Sequence, residues 1–187
     1  MPSKTSERSA RERLLAAANE LFYKEGIHTV GIDRVIEKAG VAKASLYSTF
    51  GSKDELIRAY LQGRHETRQK RIAAALAQHD TPRARICAIF DLLGESSLLP
   101  SFRGCAFVNA SAEGPASKIP SVCQDSRAWL RSLFTELARD AGAKDPDTLG
   151  RQLAILYDGA MVSSSVDRDV TAAETAKSIA TALVDAA

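Results

Sequence analysis

From Ala39 to Leu56 the chain reads Ala-Gly-Val-Ala-Lys-Ala-Ser-Leu-Tyr-Ser-Thr-Phe-Gly-Ser-Lys-Asp-Glu-Leu. Lysines, hydroxyls, one tyrosine and small alanines stand together here with no nucleophile beside a base. Lys43, Ser45, Ser48 and Thr49 can hydrogen-bond to phosphates or to base edges of a polyanion. Ala42 and Ala44 are small enough to let such a partner come close. Tyr47 can pack its ring while its hydroxyl reaches a phosphate. Lys53 opens a helix, where the unpaired backbone N–H groups and the dipole already favour an anion.

These side chains need a scaffold, and the surrounding pattern is helical throughout. Leu14, Leu15, Ala18, Leu21 and Phe22 share one helical face, stopped by Gly26. Gly31 can cap a short helix over Ile32–Ala39, which Gly40 ends in the left-handed conformation. Val41 then turns the chain into a second short helix at about 42–50. Ser52 to Glu55 reads as a capping box that begins a long helix toward Ala77. Further helices are expected from Thr81-Pro82, with Ile86, Ile89, Phe90 and Leu93 buried, and over about 105–113. Another follows Pro115 and Pro120 and bears Trp129, Leu130, Leu133, Phe134 and Leu137. Asp145-Pro146 caps one with a stripe of Leu149, Leu153, Leu156, Tyr157 and Ala160. Thr171 to Glu174 reads as a capping box for the last, which carries Ile179 and Leu183. Residues 94–104, with Gly94, Pro100 and Gly104, read as a loop. No stretch alternates with period two, so the expected fold is all-α with about nine helices.

Two short helices joined by Gly40-Val41-Ala42 have the form of a helix-turn-helix, whose second helix enters the major groove. Val35, Val41, Leu46 and Phe50 are the apolar positions expected to lock the pair. In detail, Ile32 to Leu56 resembles the DNA-binding signature of the TetR family: the Ala-Gly-Val turn, a small residue before Leu-Tyr, a Phe, then Ser-Lys-Asp-Glu-Leu. The resemblance is specific over about residues 8–60; Arg103 to Ala110 also looks like a segment of one subgroup. It implies a DNA-binding domain over 1–53 and a helical effector-binding and dimerisation domain over 54–187. The contacts it implies are Gly31, Arg34, Ala42, Lys43, Ala44, Ser45, Tyr47, Ser48, Thr49 and Lys53. Gly31 and Ile32 depart from the hydroxyl residues common there, leaving that phosphate to backbone N–H groups.

Composition fits. Hydrophobic residues are 45% and charged residues 26%, with a net charge of +2. Residues 1–71 hold 14 Lys and Arg against 9 Asp and Glu, hence +5; the remainder holds 11 against 14, hence −3. A basic front half suits a polyanionic partner. No apolar run approaches a membrane span and residues 1–8 are polar, so no membrane association and a cytoplasmic location are expected. Cys87, Cys105 and Cys123 are widely spaced, as are His28, His65 and His79, so neither a disulfide framework, a metal site nor a cofactor is expected. No phosphate-binding glycine loop, nucleophile elbow or acid–base pair appears, Glu113 included, so an enzyme is the remote alternative.

Paired reading heads on a palindromic operator require a dimer. The resemblance implies that the last two helices form it, through Leu149, Leu153, Leu156, Ala160, Ile179 and Leu183; the same stripes could instead face the protomer's own core. It further implies a pocket for a small hydrophobic or aromatic effector, with Phe90, Phe102, Cys105, Phe107, Asn109, Trp129, Tyr157 and Met161 as candidates. Core packing is the alternative for each aromatic, and for Cys105 the choices are a packed thiol or a redox sensor. The implied function is a repressor that its effector releases; the alternative is a regulator that responds to oxidation or to partners.

Overall fold

A computed structural model of the chain describes residues 9–114 and 121–187. The polar residues 1–8 and the two prolines Pro115 and Pro120 lie outside that range. The described residues form nine α-helices and no strand, and none of the helices is long and apolar enough to cross a membrane. The chain divides into two units, residues 1–65 with 106–123, and residues 66–105 with 124–187.

In the first unit, α1 (Ala10–Glu25) opens on a reciprocal cap. Glu12 N–H donates to Ser9 Oγ at 3.2 Å and Ser9 N–H to Glu12 Oε2 at 2.8 Å. This Ser-Ala-Arg-Glu cap is a local signal that the apolar periodicity of α1 does not carry. Helix α2 (Ile32–Ala39) ends at Gly40, whose φ of 61° and ψ of 43° lie in the left-handed region that favours glycine. Helix α3 covers Lys43–Phe50, with Ala42 as its N-cap rather than its first residue. Helix α4 (Lys53–Leu76) begins where Ser52 Oγ accepts the N–H of Glu55 at 3.1 Å; the Glu55 carboxylate itself accepts from Arg58. Leu14, Ala18, Val30, Val35, Leu46, Leu56 and Leu61 are fully buried, and Phe22 meets Tyr60 edge-on at 5.6 Å. Val41 and Phe50, expected to lock the helix pair, are only half-buried. Helix α6 (Ala106–Ala112) belongs to this unit.

The second unit is organised around aromatic rings. Phe90 on α5 (Pro82–Ser97), Phe134 on α7 (Ser121–Asp140) and Tyr157 on α8 (Pro146–Val162) form a triangle with centroids 5.9, 6.0 and 6.2 Å apart. Ile86, Ile89, Leu93, Leu130, Leu137, Leu149 and Leu153 complete the core. Gly150 permits the crossing of α7 and α8, because a Cβ there would stand 2.7 Å from Thr135 Cα. Helix α9 (Ala172–Asp185) packs on α5 and α8 through Ala173, Ala176 and Ala180.

Two expectations fail for tertiary reasons. The loop expected from residue 94 starts later, because α5 continues to Ser97. Gly94 faces Ala173, where a Cβ would be only 3.4 Å from that methyl, so close packing on α9 keeps glycine in the helix. The capping box expected at Thr171 does not form. Its hydroxyl donates to Asp169 Oδ1 at 2.6 Å, and Glu174 pairs with Lys177 at 2.8 Å.

Candidate nucleic-acid interface

Helix α3 is positioned by what surrounds it. Leu46 is its single buried residue and anchors it against the first unit's core. The preceding turn is held from α1, where Arg13 Nη1 donates to the Gly40 carbonyl at 3.0 Å. A cation at the C-terminal carbonyl of α2 also satisfies that helix's dipole. Glu113, at the end of α6, accepts the His28 N–H at 2.8 Å and closes over Gly26. No local pattern marks Arg13 or Glu113, because their partners lie 27 and 85 residues away.

The outward face of α3 is polar and small. Ala42, Lys43, Ala44, Ser48 and Thr49 are exposed, Tyr47 is 46% exposed and Ser45 is half-buried. Ser48 and Thr49 both donate to the Ser45 carbonyl, at 3.2 and 2.6 Å, which leaves their oxygen lone pairs facing outward as acceptors. Gly31 is exposed and caps α2 without a side-chain hydrogen bond. Lys53 is half-buried, and burial lowers the pKa of its ammonium against the opposing pull of Asp54 and Glu113. Arg34 forms a two-pronged pair with Glu25, at 2.6 and 3.1 Å, which ties α2 to α1. Lys38 does the same with Glu20 at 2.8 Å. Lys43 Nζ lies 2.9 Å from Asp33 Oδ1, a partner absent from the sequence reading.

The expected pocket residues divide between the units. Phe107 and Asn109 are in the first, where Phe107 meets His65 edge-on at 6.3 Å. Asn109 borders a cavity of about 10 Å³ with Phe22, Ile27 and Tyr60, room for about one water. In the second unit Phe90, Phe102 and Tyr157 are buried, while Trp129 and Met161 pack half-buried against the same core. Cys105 is half-buried. An arginine the sequence reading did not single out joins this group. Arg68 donates to the buried Ser126 Oγ at 3.3 Å and lies 6.0 and 5.6 Å from the ring centroids of Trp129 and Tyr157. Burial pushes the Tyr157 hydroxyl up, with Arg68 opposing. A separate open groove of about 580 Å³ is walled by Ala75, Ala88, Leu92, Leu98, Val170 and Ala173, and shares only Phe90 with the expected set.

Leu149, Leu153 and Ala160 are buried in the protomer's own core, at 3%, 0% and 6% exposure, so they offer no face to a partner. Leu156 and Leu183 are half-buried against that core. The apolar residues that α8 does expose are Ile155 and Val162, at 66% and 51%. With Gly159 they stand at i, i+4 and i+7, and Val166, 72% exposed, follows in the π-helical turn Ser163–Asp167. On α9, Ile179 stands exposed between Thr175 and Ala182 on a matching stripe. On α8 the exposed apolar stripe thus lies away from the more hydrophobic one that the core takes up, while on α9 Ile179, one of the expected residues, stays exposed.

A sequence model of bacterial regulatory proteins of the tetR family matches residues 14–60. Over 91 residues the chain is 36% identical to the HTH-type transcriptional activator FasR of Mycolicibacterium smegmatis, covering 46% of this chain and 42% of that one. The crystal structure of a TetR-family transcriptional regulator from Streptomyces coelicolor aligns with a TM-score of 0.89 at 35% identity, over 95% of both chains. A TetR-type regulator from Streptomyces avermitilis gives 0.84 at 34%, over 96% of this chain and 98% of its own. A polar helix held over a glycine turn and likeness along the whole chain lead to one conclusion: the protein belongs to the TetR family of DNA-binding transcriptional regulators.

Proposed function

We propose that the protein is a homodimeric repressor that binds a palindromic operator through α3 and leaves it when a small apolar or aromatic effector binds. The observation that carries the DNA half of this reading is the exposed face of α3, with Tyr47 beside it and Lys53 at the start of α4. Ala42 and Ala44 give close approach, Ser48 and Thr49 present acceptors to base edges, and Tyr47 and Lys53 hold the flanking phosphates. Gly31 adds backbone N–H groups at the start of α2, and Ser45 lies at the groove margin. Arg34 contributes only if it leaves Glu25. Residues 1–53 act as the reading head, and the rest senses and pairs.

The dimer forms through Ile155, Gly159, Val162 and Val166 with Ile179, an apolar surface otherwise left in water. It spaces two heads by roughly 34–36 Å for successive major grooves. The effector enters the aromatic region of Phe90, Phe102, Trp129 and Tyr157, where Arg68 supplies a cation–π and hydrogen-bonding handle. Helix α4 has residues in both units, Lys53 to His65 in the first and Glu66 to Leu76 in the second, which makes it the element through which effector binding would bias the reading head. A coupling of about 1–3 kcal/mol changes operator affinity about 5–150-fold. Such work belongs in the cytoplasm, with the chromosome.

Selection of genomic fragments on the purified chain tests the reading. Wild type is expected to recover a palindromic site that the Tyr47→Ala, Lys53→Ala double variant does not. Equal recovery by both sinks the proposed interface. The likeness to FasR, named an activator, favours a second reading in which operator binding recruits polymerase. A reporter behind the recovered site decides: deleting the protein raises expression for a repressor and lowers it for an activator.

A further inference from the structure

We propose that Asp33 sets how strongly the reading head grips DNA of the wrong sequence, by occupying Lys43. This inference rests on the DNA-binding reading above and adds a specificity-determining residue that touches no base. Among the eight residues of α3, Lys43 is the one charged side chain. Its ammonium sits 2.9 Å from the Asp33 carboxylate, with the two side chains 58% and 79% exposed. The nearby cations of α2 are already committed, Arg34 to Glu25 and Lys38 to Glu20. The recognition helix and the start of α2 therefore present no net charge to an approaching duplex.

An ion pair this exposed contributes little to folding, so stability does not account for it. Its effect falls on binding. Sequence-independent affinity comes from cations that neutralise phosphates and release counterions. A phosphate must compete with Asp33 for Lys43, and it meets the carboxylate's own negative charge while doing so. Base-edge contacts from Ser48, Thr49 and the alanines carry no such penalty. Asp33 therefore weakens binding to random sequence more than binding to an operator, and widens the ratio between them.

The test measures fluorescence anisotropy of wild type, Asp33→Asn, Lys43→Ala and the double variant, on a scrambled duplex and on the selected operator, from low to physiological salt. Asp33→Asn is expected to bind the scrambled duplex several-fold more tightly at low salt. Its log affinity should fall with log salt by about 0.9 more per decade, the signature of one further phosphate contact. Operator affinity should change less, narrowing the ratio. In the Lys43→Ala background, Asp33→Asn should leave the slope unchanged. A scrambled-duplex affinity and slope indifferent to Asp33→Asn overturn the proposal, as does the same slope change without Lys43. If neither wild type nor variant binds any duplex, this inference falls together with the reading beneath it.

Discussion

Helices α3 and α8 expose opposite kinds of surface. Helix α3 buries only Leu46 and turns a face of alanines, hydroxyls and one lysine to solvent. Helix α8 buries Leu149, Leu153, Tyr157 and Ala160, yet still leaves Ile155 and Val162 uncovered. A polar face can exchange its water for hydrogen bonds to a polyanion, whereas an apolar face gains only by meeting another apolar face. The helix proposed to read DNA is thus held by a single anchor and by its neighbours, while the helix proposed to pair is held by a core on one side. The proposed site on α3 consists of exposed side chains close in sequence; the proposed interface on α8 lies on the side the core leaves free.

The largest expected effect strikes the α8 face. Ile155→Lys with Val162→Lys should leave the protomer folded but place like charges in the interface, giving a monomer by sedimentation. Operator affinity should then drop by on the order of 100-fold or more, as the second head no longer binds in tandem. A dimer that survives both lysines moves the interface elsewhere. Next, Leu46→Ala and Leu153→Ala each remove a fully buried leucine and should each cost about 2–5 kcal/mol in urea unfolding. They should part company in DNA binding. At a temperature where both are folded, Leu46→Ala loses the operator because α3 is no longer held, while Leu153→Ala keeps most of its affinity. Equal losses would erase the distinction between the two helices.

Smaller effects sharpen the picture of how α3 is held. Glu113→Ala leaves the His28 N–H without its acceptor and should cost about 1–2 kcal/mol, with Glu113→Gln restoring much of that because an amide oxygen still accepts. Thermal unfolding of the two variants makes the comparison. The smallest is an acid effect. The hydrogen bond from Arg34 holds the Glu25 carboxyl below its ordinary 4.5. A depressed carboxylate stabilises fully above its unfolded value, and that stabilisation is lost as pH falls through the lowered one. Glu25→Gln should therefore be slightly less stable near neutrality, and the gap should close in acid, measured by urea midpoints from neutral pH down through 4.5.

Legibility followed the distance in sequence between partners. The bounds of α2 and the ends of α1 and α3 were readable, since caps and glycines act within one turn. The contacts that set the site's geometry were not. Arg13 reaches Gly40 and Glu113 reaches His28 across stretches no local pattern spans. Asp33 and Lys43 are nearer in sequence, but only the bend at Gly40 brings them together. Gly94 was misread because glycine ends helices locally, and only its closeness to Ala173 explains why it stays inside one.

By itself the sequence determined that the chain is helical and where two short helices meet at a glycine turn, because periodicity, capping and such a turn are short-range physics; that the turn reads DNA came from its likeness to the family signature. The tertiary structure alone decided which side of α8 and α9 is spent on the core and which stays free. A helix with apolar residues on two faces satisfies the same period either way, and only the packing of Phe90, Phe134 and Tyr157 fixes which face goes in.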